Sequence, residues 1–154
     1  MIAGEQVVAR TAAETERLGE DLARRLASAD VVYLEGDLGA GKTTFVRGLA
    51  RGLGASEREV ASPTFALLHE YVGGGDRVRL RHLDLYRLSD DPRQLDVLGV
   101  PDALAGAPVC VEWPKEAVRA LLPPTWEVRI GVLPDESRRI VIAAADHRSG
   151  RGTR

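Results

Sequence analysis

The segment Gly36-Asp37-Leu38-Gly39-Ala40-Gly41-Lys42-Thr43 constrains this chain more than any other feature, because the pattern G-x-x-x-x-G-K-[ST] requires a buried strand before it and a helix after it. Both flanks meet that requirement. Residues 31–34 read Val-Val-Tyr-Leu, a continuous β-prone run that suits a strand buried on both faces, and hence a parallel central strand. Downstream, Phe45, Leu49 and Leu53 recur at every fourth residue, and Gly54 supplies a stop.

The rest of the chain fits around this unit. Thr11-Ala12-Ala13-Glu14 has the form of a capping box, and Leu18, Leu22 and Leu26 follow at helical spacing, which predicts an amphipathic helix over residues 12–28. Residues 65–72 and 77–85 read as two antiparallel strands joined at Gly73-Gly74-Gly75. A short helix is expected from Ser89-Asp90-Asp91-Pro92 toward Val100, ended by Pro101. A further apolar strand covers 109–111, a helix covers 115–122 before Pro123 and Pro124, and residues 128–132 with 140–144 resemble a hairpin. The expected fold is therefore α/β: a single P-loop domain over residues 10–145, with a mixed sheet, a parallel core, an antiparallel hairpin and helices on both faces. Residues 146–154 form a polar, frayed tail. Neither an internal repeat nor an interdomain linker is visible.

The loop itself predicts the first chemistry. Its glycines let backbone N–H groups and a helix N-terminus face anionic oxygens, so Gly39, Ala40, Gly41 and Lys42 form a phosphate cradle suited to ATP. Lys42 belongs between the β- and γ-phosphates, the Thr43 hydroxyl on Mg²⁺, and Thr44 near the α-phosphate. Only two of the chain's 21 cationic residues are lysines, Lys42 and Lys115, so a lysine at this position is informative. Asp37, acidic beside the phosphates, is expected to have a structural role. A phosphate site also needs a carboxylate from a neighbouring strand end, and two acids qualify. Glu112 follows the apolar Val109-Cys110-Val111 and is assigned to the metal. Asp84 shares one strand face with His82 and is assigned to the γ-phosphate or its water. Ser62-Pro63-Thr64-Phe65 either senses the γ-phosphate through Thr64 or simply turns the chain into a strand.

Composition limits the partners. A net charge of −2 offers no general attraction to nucleic acid, so any RNA link is indirect. No apolar run approaches the roughly 20 residues of a membrane span. The lone Cys110 cannot form an internal disulfide and no export signal is evident, which predicts a cytoplasmic protein with no membrane partner. Cys110 is expected to be a buried core thiol, while His69 and His147 have no metal ligands at useful spacing. Trp113 is expected either in the core or as a wall of the site, and Tyr86 and Arg87 at the surface unless they cover the nucleotide or a partner.

Several segments together resemble one family, the small bacterial ATPases of tRNA threonylcarbamoyladenosine biosynthesis known as TsaE or YjeE. They are residues 36–45, Ser62-Pro63-Thr64-Phe65, His82-Leu83-Asp84-Leu85-Tyr86-Arg87-Leu88 and Val111-Glu112-Trp113-Pro114, in family order and spacing across roughly residues 10–145. The resemblance implies a slow ATPase that supports the two partner proteins of the bacterial threonylcarbamoyl transferase complex. Those partners modify an adenosine beside the tRNA anticodon, and the ATPase is not itself the transferase. It implies Mg²⁺ at Thr43 and Glu112, and a requirement for Lys42 and Asp84. It also implies an adenine pocket between the N-terminal helix region and the C-terminal hairpin, with Thr11, Thr15 and Arg138 or Arg139 as its residues.

Two rival functions remain on the residues alone. A small-molecule kinase would need an acceptor pocket and an arginine-bearing lid, and no inserted segment is long enough to be one. A GTP-dependent switch would select guanine with an Asn-Lys-x-Asp segment, and this chain contains no Asn.

Overall fold

Among the described residues eight strands form one sheet in the order β1-β8-β7-β2-β6-β5-β4-β3. The computed structural model describes residues 4–37, 39–61, 68–85, 105–114 and 116–145. The strands are β1 (Glu5–Ala9), β2 (Val31–Gly36), β3 (Ala55–Ala61), β4 (Leu68–Gly73), β5 (Val78–Asp84), β6 (Val109–Glu112), β7 (Trp126–Val132) and β8 (Arg138–Ala144). Among the described residues the helices are α1 (Ala12–Ala23), α2 (Lys42–Gly52) and α3 (Glu116–Leu121).

The four central strands β7, β2, β6 and β5 are parallel, and every pair outside them is antiparallel. β2 sits inside the parallel set because Val31, Val32, Tyr33 and Leu34 are buried on both faces. Its pleat divides the core. Val32 and Leu34 face α1 and α2 together with Phe45, Leu49, Cys110 and Ile140, whereas Val31 and Tyr33 face the other side with Val109, Val111 and Val118 of α3. The predicted mixed sheet with helices on both faces is the fold observed.

Helices α1 and α2 meet backbone to backbone through glycines. A Cβ on Gly19 would lie 2.4 Å from the Phe45 carbonyl oxygen, and one on Gly48 would lie 2.0 Å from that of Glu16. This close crossing brings the N-terminus of α1 beside the N-terminus of α2. The α1 start is capped as expected: Thr11 Oγ1 accepts from Glu14 N–H, while the Glu14 carboxylate accepts from Arg10 N–H at 2.6 Å. The helix is shorter than predicted, ending at Ala23 and not at residue 28. The chain turns there, with Arg25 N–H bonded to Leu22 O and Leu26 N–H to Ala23 O. Asp30 then accepts from Ala27 N–H at 2.7 Å, and the chain enters β2.

Two strands escaped the sequence reading. β1 pairs with β8, so the sheet begins at Glu5, ahead of the domain start expected at residue 10. β3 forms the opposite edge against β4. The central hairpin β4–β5 turns through a 3-10 segment, Gly74–Asp76, in which Gly75 takes φ +73°. The C-terminal hairpin β7–β8 is also as expected. The predicted helix between residues 89 and 100 and the tail 146–154 lie outside the described residues. Among the described residues no helix is long and apolar enough to cross a membrane.

Candidate phosphate-binding site

Gly36 ends β2 opposite Ile130 of β7, where a Cβ would lie only 2.6 Å from the Ile130 carbonyl oxygen, so the strand can enter the loop only on glycine. Gly39 and Gly41 then take φ +83° and +107°, and Gly41 is the N-cap of α2. Left-handed backbone at these positions turns successive N–H groups inward ahead of the helix. Lys42 opens α2 and is 6% exposed. Its ammonium folds back into the loop and donates to Gly36 O at 2.5 Å. It also stands 3.9 Å from Glu112 Oε1 and 4.1 Å from the centre of the Trp113 ring.

Glu112 ends β6, directly after three buried apolar residues, and is itself 6% exposed. Register places Asp84 of β5 on one side of it and Leu34 of β2 on the other, so both predicted acids stand at adjacent strand ends next to the loop. The carboxylate divides its oxygens: Oε1 looks toward Lys42, and Oε2 lies 2.5 Å from His82 Nε2, whose ring N–H donates to an ionised Glu112. Beneath them, burial and then the charge of Glu112 push the Cys110 thiol well above its usual range, so it stays neutral. Trp113 leaves β6 with φ +58°, a left-handed conformation costly for a bulky side chain. That turn sets its ring over Lys42, so Trp113 walls the site.

Thr43 is exposed at the start of α2, and a hydroxyl and a carboxylate are both hard oxygen donors of the kind that Mg²⁺ takes. A second cavity, about 250 Å³, opens on the other side of the loop and is lined by Thr11, Thr15, Gly41, Thr44 and Arg138 among others. Of these, Thr11, Thr15 and Arg138 are residues named for an adenine pocket, whereas Gly41 and Thr44 are assigned to the phosphates. Arg138 already has partners here: Nε donates to Ala40 O at 2.9 Å, another guanidinium nitrogen reaches Gly39 O at 3.5 Å, and a third bonds Glu136 O. It thereby ties the C-terminal hairpin to the phosphate loop. A third cavity of about 350 Å³ lies at the loop entrance between Gly36, Asp37, Trp113 and Arg119. Asp37 also accepts a backbone bond there, from Ala40 N–H to its carbonyl.

Thr64 with its Ser-Pro-Thr-Phe segment, Tyr86, Arg87, Lys115 and His147 lie outside the described residues. Sequence reasoning missed two relations: the His82–Glu112 bond, whose only signal was the His-x-Asp spacing in β5, and the hold of Arg138 on the loop carbonyls, for which nothing local gave a signal.

Comparison with known proteins agrees with this geometry. The family model described as "Threonylcarbamoyl adenosine biosynthesis protein TsaE" matches residues 9–141. A tRNA threonylcarbamoyladenosine biosynthesis protein TsaE from Treponema pallidum is 42% identical over 137 residues, covering 88% of this chain and 98% of the relative. The protein of the same description from Streptomyces coelicolor is 37% identical over 135 residues, covering 85% of this chain and 90% of its own length. The crystal structure of Bacillus subtilis YdiB superimposes with a TM-score of 0.70 at 29% identity, covering 98% of this chain and 92% of YdiB.

Proposed function

The chain belongs to the TsaE family of threonylcarbamoyl adenosine biosynthesis proteins, and from that membership we propose that it is a slow, Mg²⁺-dependent ATPase serving formation of threonylcarbamoyladenosine next to the tRNA anticodon. It acts with the two partner proteins of the threonylcarbamoyl transferase complex, which perform the transfer. Contact with tRNA runs through those partners, in keeping with a net charge of −2, and the protein works in the cytoplasm.

The observation that carries this reading is the enclosed Lys42. A buried ammonium at the start of a helix, 3.9 Å from a buried strand-end carboxylate, is the arrangement that phosphoryl chemistry needs. In the reaction, Lys42 leaves Gly36 O to neutralise charge on the β- and γ-phosphates, while the backbone of Gly39, Ala40 and Gly41 and the N-terminus of α2 hold the phosphates in place. Thr43 and Glu112 hold Mg²⁺, which when bound supplies further charge neutralisation and orientation of the phosphates. Asp84, one strand away from Glu112, positions the attacking water or the γ-phosphate, and Thr64 assists it. Thr11, Thr44 and Arg138 receive the nucleoside side of ATP in the cavity between α1 and β8.

The test is release of phosphate from ATP by the purified chain, alone and with the two partner proteins and unmodified tRNA. Free phosphate should appear with Mg²⁺ and no added acceptor, which also separates this reading from a kinase. Threonylcarbamoyladenosine should form in the reconstituted mixture only when the chain is present. Modification that proceeds equally well without the chain, or with its Lys42→Ala variant, would overturn the proposal.

A further inference from the structure

We propose that His82 is a positioning residue for Glu112, fixing one carboxylate oxygen so that the other faces the phosphate loop. The proposal rests on the reading of Glu112 as the metal-side acid. His82 Nε2 and Glu112 Oε2 are 2.5 Å apart, and both side chains are buried, at 8% and 6% exposure. In the β5–β6 register His82 faces Cys110 and Asp84 faces Glu112, so the imidazole reaches its partner on the diagonal of one sheet face.

The bond has a directional result. A carboxylate free to rotate presents either oxygen, but with Oε2 held by a ring N–H, Oε1 is the oxygen left toward Lys42 and the loop. Contacts of this kind, from residues behind a metal ligand, typically change metal affinity 10–100-fold.

Packing alone does not account for an imidazole here. His82 Nδ1 is buried with no hydrogen-bond partner among the described residues, and in register the residue lies between Cys110 of β6 and His69 of β4, whose ring centre is 6.2 Å away. An apolar side chain would fill the same space without leaving a nitrogen unsatisfied. The orphaned atom is accepted because the opposite nitrogen is needed. With a carboxylate as its partner, Nε2 is the nitrogen that donates.

The experiment uses the full chain with ADP and Mn²⁺ as the probe, counting free Mn²⁺ by electron paramagnetic resonance. His82→Ala should raise the Kd for Mn²⁺ in the ADP complex about tenfold, and ADP affinity without metal should stay at the wild-type value. His82→Gln, whose amide nitrogen can replace the Nε2 donor, should recover most of the loss. Wild-type Mn²⁺ affinity in His82→Ala, or an equal loss in His82→Gln, would overturn the positioning role. Glu112→Gln in parallel separates the two ideas: a loss there with none in His82→Ala defeats the positioning role alone, while no loss there defeats the metal reading and this proposal with it. A measurement on the unmutated protein guards against a variant that does not fold. Long-range ¹H–¹⁵N spectra should show His82 carrying a hydrogen at Nε2, and a ring bare at Nε2 would overturn the proposal.

Discussion

Replacing Gly48 by Ala tests whether the crossing of α1 and α2 sets both stability and ligand binding. A methyl group on Gly48 would lie 2.0 Å from Glu16 O, 2.9 Å from Glu16 C and 3.1 Å from Gly19 Cα. The obstacle is helix backbone, which cannot swing aside as a side chain would. Relief requires α1 to move from 2.0 Å to beyond the 3.4 Å at which ordinary contact begins, loosening the packing of Leu22 against Phe45 and Leu49. Overpacking costs about 1–3 kcal/mol, and alanine returns roughly 0.5–1 kcal/mol of helix preference over glycine. The net expectation is a loss of about 1 kcal/mol, or on the order of 2–4 °C in Tm for a chain of this size. Urea denaturation followed by circular dichroism measures it. ADP affinity should fall as well, because Thr11 and Thr15 on α1 face Gly41 and Thr44 across the same cavity. Gly131→Ala is the control, since its methyl meets nothing within 4 Å. A Gly48→Ala midpoint equal to or above wild type, with an unchanged slope, would refute the argument.

Other expectations can be checked separately. Glu112→Gln should raise the Mg²⁺ concentration needed for hydrolysis by about tenfold or more, while Asp84→Asn should slow hydrolysis on the order of 100-fold with a near-normal Mg²⁺ requirement; the reverse pattern in rate-against-Mg²⁺ curves would mean the two acids have exchanged roles. Arg138→Ala removes the bonds to Ala40 O and Gly39 O and should weaken ADP binding about tenfold by calorimetry, with unchanged affinity arguing that the loop holds its shape unaided. Tyr33 is fully buried, donates to Leu122 O at 2.6 Å, and has its phenol pushed by burial from 10.0 up to about 12, against a smaller opposing pull from Arg119. The unfolded phenol ionises first, so its contribution to stability is complete below pH 10 and is lost as pH rises through 12, by on the order of 2–3 kcal/mol. Tyr33→Phe should abolish that alkaline decline in urea midpoints.

The parallel core was legible because its signals are local. A buried run ending in Gly36, a helix with apolar residues every fourth position, and an acid closing Val109-Cys110-Val111 each carry their placement in their own neighbours. The edges were not. β1 reads Glu-Gln-Val-Val-Ala and β3 reads Ala-Ser-Glu-Arg-Glu-Val-Ala, strands held by one neighbour each, with too few apolar residues to announce themselves. The end of α1 was missed because Leu26 continues the apolar period while the backbone has already turned. The bond between His82 and Glu112 depends on the register of two strands whose connection spans more than twenty residues. The reach of Arg138 to the loop depends on the hairpin folding over it, and no local pattern encodes either.

Lys42 is held by partners inside the protein, so on the proposed reading a nucleotide would exchange with them and not simply add. The ammonium must give up the Gly36 carbonyl, draw away from the Glu112 carboxylate and leave the face of Trp113, taking phosphate oxygens in return. A ligand compensates those losses only if it delivers an anionic group as deep as the lysine. A monophosphate that stops at the helix N-terminus leaves Lys42 where it is, whereas a di- or triphosphate draws it out. On the reading proposed above, the loop would distinguish phosphate chains by length, and would do so through contacts that have to be broken.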